Sequence, residues 1–164
     1  MPNALVDRSW PLLRRLTGAH VALYRRSGGR LGHRPPGLPQ MLLLDHVGAR
    51  SGVRRTSPLV YARDGERYVL VASKGGYPRH PAWYYNLKAN PRVRVQHRAG
   101  IEERIAREAT GQEREKLYAR MARDFPNFAA YQKRAMAASG RKIPVLVLGL
   151  AFMQLEPQKK EGGP

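Results

Sequence analysis

The sequence predicts an α+β domain: mostly antiparallel strands closed or half-closed into a barrel, with helices at its periphery. Three observations carry that prediction. From Met41 onward, short apolar or alternating runs follow one another, most of them joined by turns too short for a crossover helix. Helical periodicity is confined to one segment in front and to stretches in the second half. Finally, 164 residues with a hydrophobic fraction of 42% have one domain's length and enough apolar side chains for a core.

Residues 3–27 carry a stripe of Leu5, Leu12, Leu16 and Leu23 completed by Ala19, with Arg8, Arg15 and Arg26 elsewhere on the wheel. Pro11 suits only a first helical turn, so the helix is expected to start at Ser9 or Trp10 and to end at Gly28-Gly29. A Leu stripe flanked by Arg suits an anionic membrane surface, but packing across the barrel mouth or on a dimer mate is the favoured expectation. Residues 28–40, rich in Gly and Pro, form an irregular connector. Met41–Val47 is a strand, Gly48–Gly52 a turn and Arg54–Ala62 a second strand; Asp64-Gly65 signals a hairpin into Arg67–Ser73. A Gly- and Pro-containing loop, Lys74–His80, leads to a short helix, Pro81–Ala89. Arg92–His97 alternates Val with polar residues, and Ala99-Gly100 turns it into Ile101–Ala109. Thr110 with Glu113 predicts a capping box on a helix to about Ala122. A helix over Pro126–Ala138 stops at Gly140, and Ile143–Leu150 is the last strand. The expected organisation is helix and connector over 1–40, barrel over 41–155 and a polar tail over 156–164.

Composition narrows the chemistry. The absence of Cys excludes a disulfide scaffold, thiolate metal sites and thiol catalysis. The longest apolar run, Ile143–Met153, is strand-sized, and no export signal is apparent, which predicts a cytoplasmic protein. The net charge is +18, with 23 Arg among the 30 basic residues, and the surplus is spread along the chain. Arg pairs bidentately with phosphate and carboxylate, so anionic partners are favoured: a polyanionic small molecule, nucleic acid or an acidic membrane. Phosphate-loop, Gly-x-Gly-x-x-Gly and His-Glu-x-x-His patterns are missing. The histidines (His20, His33, His46, His80, His97) fall in five separate segments, so structural or surface roles are expected and no metal site. A reaction carried by a cofactor needs no side-chain acid–base engine.

Two segments stand out. In Gly48–Leu59, a glycine-bounded turn carries Arg50, Arg54 and Arg55 with Ser51, Thr56 and Ser57, a set able to hold phosphate. A solvated basic hairpin is as good a reading from spacing alone. In the second, Ala72-Ser73-Lys74-Gly75-Gly76 leaves a buried strand and is followed by Ala82-Trp83-Tyr84-Tyr85-Asn86. Paired glycines admit a flat ligand close to the backbone, and the aromatics can wall it in. Patterns alone favour Trp83 and Tyr84 as plain core anchors.

In order, the chain presents Gly-x-Arg-Ser-Gly-x-x-Arg-x-x-Pro-Leu from Gly48, Val-Ala-Ser-Lys-Gly-Gly from Val71 and His-Pro-x-Trp-Tyr-x-Asn-Leu-Lys-Ala-Asn-Pro from His80. Phe-Pro-x-Phe-x-x-Tyr-Gln from Phe125 and Ile-Pro-Val from Ile143 complete the series. Taken together, residues 20–150 resemble the deazaflavin-dependent nitroreductase family, found largely in actinobacteria. The resemblance implies a split β-barrel of the FMN-binding-like type. It also implies hydride transfer from reduced coenzyme F420 to a quinone, nitroaromatic, enone or similar planar acceptor. A homodimer and a membrane-peripheral location through the front helix are compatible with it, and specific nucleic-acid binding is not implied. An FMN-binding oxidoreductase on the same barrel and a non-enzymatic binder of polyanions are the alternatives.

The resemblance assigns Ala49, Arg50, Ser51 and Arg55 to the phosphate and oligoglutamate tail of F420, and Thr56, Ser57, Pro58, Leu59 and Val60 to the channel edge. Val71, Ala72, Ser73 and Lys74 would flank the deazaflavin ring, with Ala82, Trp83, Tyr84, Tyr85 and Asn86 as the opposite wall and Phe128 nearby. Ser73 and Tyr131 would act on the substrate. Departures from the family pattern are Ala49 in place of a basic residue, Val60 in place of a tyrosine, and Phe125 and Phe128 where hydroxyl-bearing aromatics usually stand. A more apolar pocket follows, suited to a quinone rather than a nitroimidazole.

Overall fold

The computed structural model describes residues 4–151, with side chains from Arg15 onward. Six strands form an antiparallel ring in the order β1 (Met41–Val47), β2 (Arg54–Asp64), β3 (Arg67–Val71), β6 (Val145–Leu150), β5 (Gly100–Ala109) and β4 (Arg92–His97), and β4 closes back on β1. Around it stand α1 (Ala4–Arg26), α2 (Ala82–Ala89), α3 (Gly111–Asp124) and α4 (Asn127–Ser139). The expected fold class is therefore the observed one.

Strand periodicity sorts the side chains into two cores. Leu42, Leu44, Tyr61, Tyr68, Leu70, Val93, Val95, Leu146 and Leu148 fill the barrel with Trp83 and Leu87 of α2. The alternate residues Ala62, Val69, Val71, Val145 and Val147 meet Leu117, Tyr118 and Met121 of α3 and Phe128 and Ala135 of α4. β3 and β6 are thus covered on both faces, which is why they read as near-continuous apolar runs. Tyr118 donates to the Phe128 carbonyl (2.7 Å), fixing α4 on α3.

Several local expectations change. α1 starts at Ala4, so Pro11 lies inside the helix. Its stripe does not pack across the barrel: Leu16 and Leu23 are 58% and 48% exposed, whereas Tyr24 is fully buried. Tyr24 donates to the Met41 carbonyl (3.1 Å), meets His33 Nδ1 (3.2 Å) and accepts from the Arg98 amide (3.0 Å), so polar bonds dock this face. The side chains of Leu5, Arg8 and Leu12 and the expected tail 156–164 lie outside the described residues. No capping box forms, because Thr110 makes no side-chain cap bond. Glu113 is instead held by both Nη atoms of Arg107 (2.7 Å each) and by Arg67 (3.2 Å), charge-assisted bonds stronger than a cap. The β4–β5 turn is Arg98-Ala99, with Arg98 left-handed at φ +55°. The approach of α1's end to this turn demands Gly29, where a Cβ would lie 2.5 Å from Arg98 Cα.

Candidate active site

Between β2, the end of β3 and the start of α4 lies a cleft of about 390 Å³. The connector supplies Leu38 and Pro39 with Met41; β2 supplies Pro58, Leu59 and Val60; β3 supplies Leu70 and Val71. The loop after β3 adds Ser73, Lys74 and Gly75, α2 adds Pro81 and Trp83, and Phe125, Asn127, Phe128 and Tyr131 complete the wall. Phe125, Phe128 and Tyr131 stack edge to face, with centroids 6.1 and 6.0 Å apart. The surface is apolar except at the loop and at Asn127 and Tyr131 of α4, and the hydroxyls of Ser73 and Tyr131 bond to no protein group among the described residues.

The loop geometry is special. Ser73 is right-handed (φ −73°, ψ −43°), and Lys74, Gly75 and Gly76 follow at φ +47°, +63° and +80°. Such a right-to-left succession aims successive N–H groups at one concavity suited to an anion. Gly76 N–H returns to the Ser73 carbonyl and Tyr77 N–H to that of Lys74, leaving the Lys74 and Gly75 N–H groups without a backbone acceptor among the described residues. Gly76 is also required sterically, since a Cβ there would lie 2.7 Å from the Tyr131 carbonyl oxygen.

The cleft brings together Pro58, Leu59, Val60, Val71, Ser73, Lys74, Trp83, Phe128 and Tyr131 of the residues expected from sequence. Ala49, Arg50, Ser51 and Arg55 stand on the β1–β2 hairpin; Arg55 is three residues along β2 from Pro58, about 10 Å at strand rise. Among the described residues no carboxylate pairs with Arg50, Arg54, Arg55 or Lys74. Thr56 does not line the cleft: it donates to Asp45 (2.5 Å), which also holds Arg25 and Arg94. Ala72 points into the barrel and is fully buried. Ala82 and Tyr85 are exposed away from the cleft, and Tyr84 donates to Glu108 (2.9 Å), so burial and that carboxylate push its phenol up to about 12.

Asn86 is a buried strut rather than a wall. Its Oδ1 accepts from the Ala49 amide (2.9 Å), so its Nδ2 donates to His46 Nδ1 (3.0 Å). The proton of His46 is thereby fixed on Nε2, which donates to Ser57 (3.0 Å). Burial first, then the Arg55 charge, hold His46 below its ordinary pKa and neutral. This chain fastens the arginine hairpin to α2. Leu38, Pro39, Met41, Leu70 and Asn127 were not legible as cleft residues; an apolar Leu38 amid Gly and Pro was the one signal.

Residues 16–149 match the family model for F420H(2)-dependent quinone reductases. The chain belongs to the F420H(2)-dependent quinone reductase family. It is 58% identical over 76 residues to a Mycobacterium tuberculosis protein named an F420H(2)-dependent quinone reductase, covering 46% of this chain and 51% of the relative. The chain thus spans about half the length of the mycobacterial relatives it matches at that identity. Among solved structures it is similar to an F420-H2 dependent reductase (40% identity, TM-score 0.59, 66% of this chain and 92% of that one). A second, described as a domain-swapped dimer, is 34% identical with TM-score 0.63 over 84% of this chain and 97% of that one.

Proposed function

We propose that this chain is a reductase that takes a hydride from reduced coenzyme F420 and delivers it to a quinone or a similar planar, lipophilic acceptor such as a nitroaromatic or enone. The observation that carries the proposal is an apolar cleft walled by a left-handed loop whose N–H groups have no protein acceptor among the described residues. Among the same residues, arginines of the β1–β2 hairpin pair with no carboxylate, and they begin three residues along β2 from Pro58. F420 joins a flat ring to a phosphate and an oligoglutamate tail, and the donor set fits both halves. Arg50 and Arg55 hold the tail and phosphate as charge-assisted pairs. Val71, Leu59 and Trp83, which line the cleft, would pack the ring and keep water from it. Lys74 and the N–H groups of Lys74 and Gly75 hold negative charge on the ring's pyrimidine side.

When bound, reduced F420 supplies the hydride. Phe125 and Phe128 offer the acceptor an apolar seat beside Tyr131. The hydroxyl of Tyr131 or Ser73, free of protein partners, delivers a proton to the acceptor oxygen. No helix among the described residues is long and apolar enough to cross a membrane. The exposed Leu16 and Leu23 of α1 would nevertheless let the protein rest on a membrane surface where a lipophilic quinone is met. A homodimer is supported by the domain-swapped relative.

One trace tests the proposal: reduced F420, protein and menadione are mixed and oxidation is followed spectrophotometrically against a protein-free blank. Oxidation faster than the blank is expected. A rate equal to the blank, with no F420 binding by titration, overturns it, and copurified FMN would turn the assignment to a flavin enzyme.

A further inference from the structure

Arg141, between α4 and β6, is 8% exposed, and no carboxylate among the described residues pairs with it. All five of its N–H groups nevertheless find neutral acceptors. Nη1 donates to the Ala72 carbonyl (3.1 Å) and to His80 Nδ1 (2.8 Å). Nη2 donates to the carbonyls of Ser73 (2.8 Å) and Tyr77 (2.7 Å), and Nε also donates to Tyr77 (3.0 Å). His80 must accept at Nδ1, so it is neutral; burial and then the Arg141 charge hold its pKa down.

A buried cation without a counter-ion costs several kcal/mol, so packing alone gives no reason for it to stand here. Its position behind the loop does. The fork draws the carbonyls of Ala72, Ser73 and Tyr77 to one side, and through the Ser73 carbonyl it constrains the peptide unit that carries the Lys74 N–H of the concavity. Lys74 in the left-handed region is a strained non-glycine residue, and such strain persists only where the surroundings impose it. Arg134 adds a bond to the Gly75 carbonyl (2.9 Å) from α4. Arg141 is itself braced: Gln132 Nε2 donates to its carbonyl (3.0 Å), while Gln132 Oε1 accepts from Arg114 (2.9 Å) and the Ile143 amide (3.0 Å).

We propose that Arg141 is a positioning residue of the cleft, which locks the Ala72–Tyr77 loop from behind and lends the anion bound at Lys74 and Gly75 an uncompensated positive charge. The inference rests on the F420 assignment, in which that anion is the reduced deazaflavin ring after loss of its pyrimidine proton. The hairpin arginines grip the tail, whereas Arg141 acts on the ring.

The two roles separate with two probes, F420 itself and the deazaflavin chromophore carrying only its ribityl chain, each titrated in oxidised and reduced form. Arg141→Gln is expected to weaken both probes by a similar factor, 10-fold or more, and to raise the pH at which the bound reduced ring gains its proton, read from its absorbance. Arg141→Lys keeps the charge but loses the five-donor fork. With three donors in place of five it reaches at most three of the four acceptor atoms, so it should retain the ring's titration midpoint while losing affinity. Arg134→Met, which loosens the loop without removing buried charge, should leave the midpoint in place. Wild-type affinity and an unmoved midpoint in Arg141→Gln overturn the inference. If that variant does not fold, Arg141→Lys decides: unchanged affinity for the ribityl chromophore overturns the inference, and reduced affinity with an unmoved midpoint supports it. Failure of the wild type to bind either probe would instead refute the F420 assignment.

Discussion

The two ends of the barrel treat their polar groups in opposite ways. At the end formed by the β2–β3 and β4–β5 hairpins, Tyr61 bonds to His97 (2.7 Å), Tyr24 to His33, and Arg104 to Glu102 and the Glu66 carbonyl (2.7 Å), while Arg63 and Arg104 flank the Tyr68 ring. Among the described residues, Arg104 Nε is the one buried side-chain polar atom without a partner. At the other end, two hydroxyls and two amides of the cleft have no hydrogen-bond partner, and Arg50, Arg54 and Arg55 of the neighbouring hairpin have no carboxylate partner, among the described residues. Satisfied polar clusters hold a fold together, whereas unsatisfied ones wait for a ligand.

The strongest way to break this contrast is to reverse the open end's charge. Arg50→Glu with Arg55→Glu should weaken F420 binding by about 10³-fold at low salt and less at high salt, measured by fluorescence titration. Tyr131→Phe should lower kcat roughly 10²-fold with KM little changed if its hydroxyl delivers the proton, which steady-state kinetics reads directly. Asn86→Ala, which orphans the Ala49 amide and His46, should cost about 2 kcal/mol in denaturant unfolding and loosen coenzyme binding as well. Tyr61→Phe at the closed end should cost about 1 kcal/mol and leave coenzyme affinity unchanged, which sharpens the distinction.

The smallest effect is pH dependence. Burial is the leading cause holding His33, His46, His80 and His97 below their ordinary pKa. As the pH falls below about 6.5, the unfolded chain takes up protons that these folded imidazoles refuse, so stability is full above that value and declines on acidification. The Tm should fall by several degrees between pH 7.5 and pH 5.

Strands, turns and the motif-bearing loop were legible because their signals are local: alternation, doubled glycines, an aromatic run after a proline. What was not legible depended on distant partners. The leucine stripe of α1 suggested packing, yet the helix docks through Tyr24 onto a histidine and a turn amide far along the chain. Glu113 resembled a cap and is claimed by strand arginines. Asn86 fell within a ligand-wall motif and serves as a strut. Arg141, one arginine among 23, has no local pattern at all, because its significance lies in carbonyls more than sixty residues upstream.

Ring closure carries a cost in time. Every strand of the ring has two neighbours, but β3 finds its second one in β6, the last strand among the described residues. Until β6 emerges from the ribosome, the apolar β3 edge stays open to any passing partner. Cooperative assembly therefore waits on the last strand, and dilution or a chaperone should raise the refolding yield more than any stabilising substitution in the finished barrel.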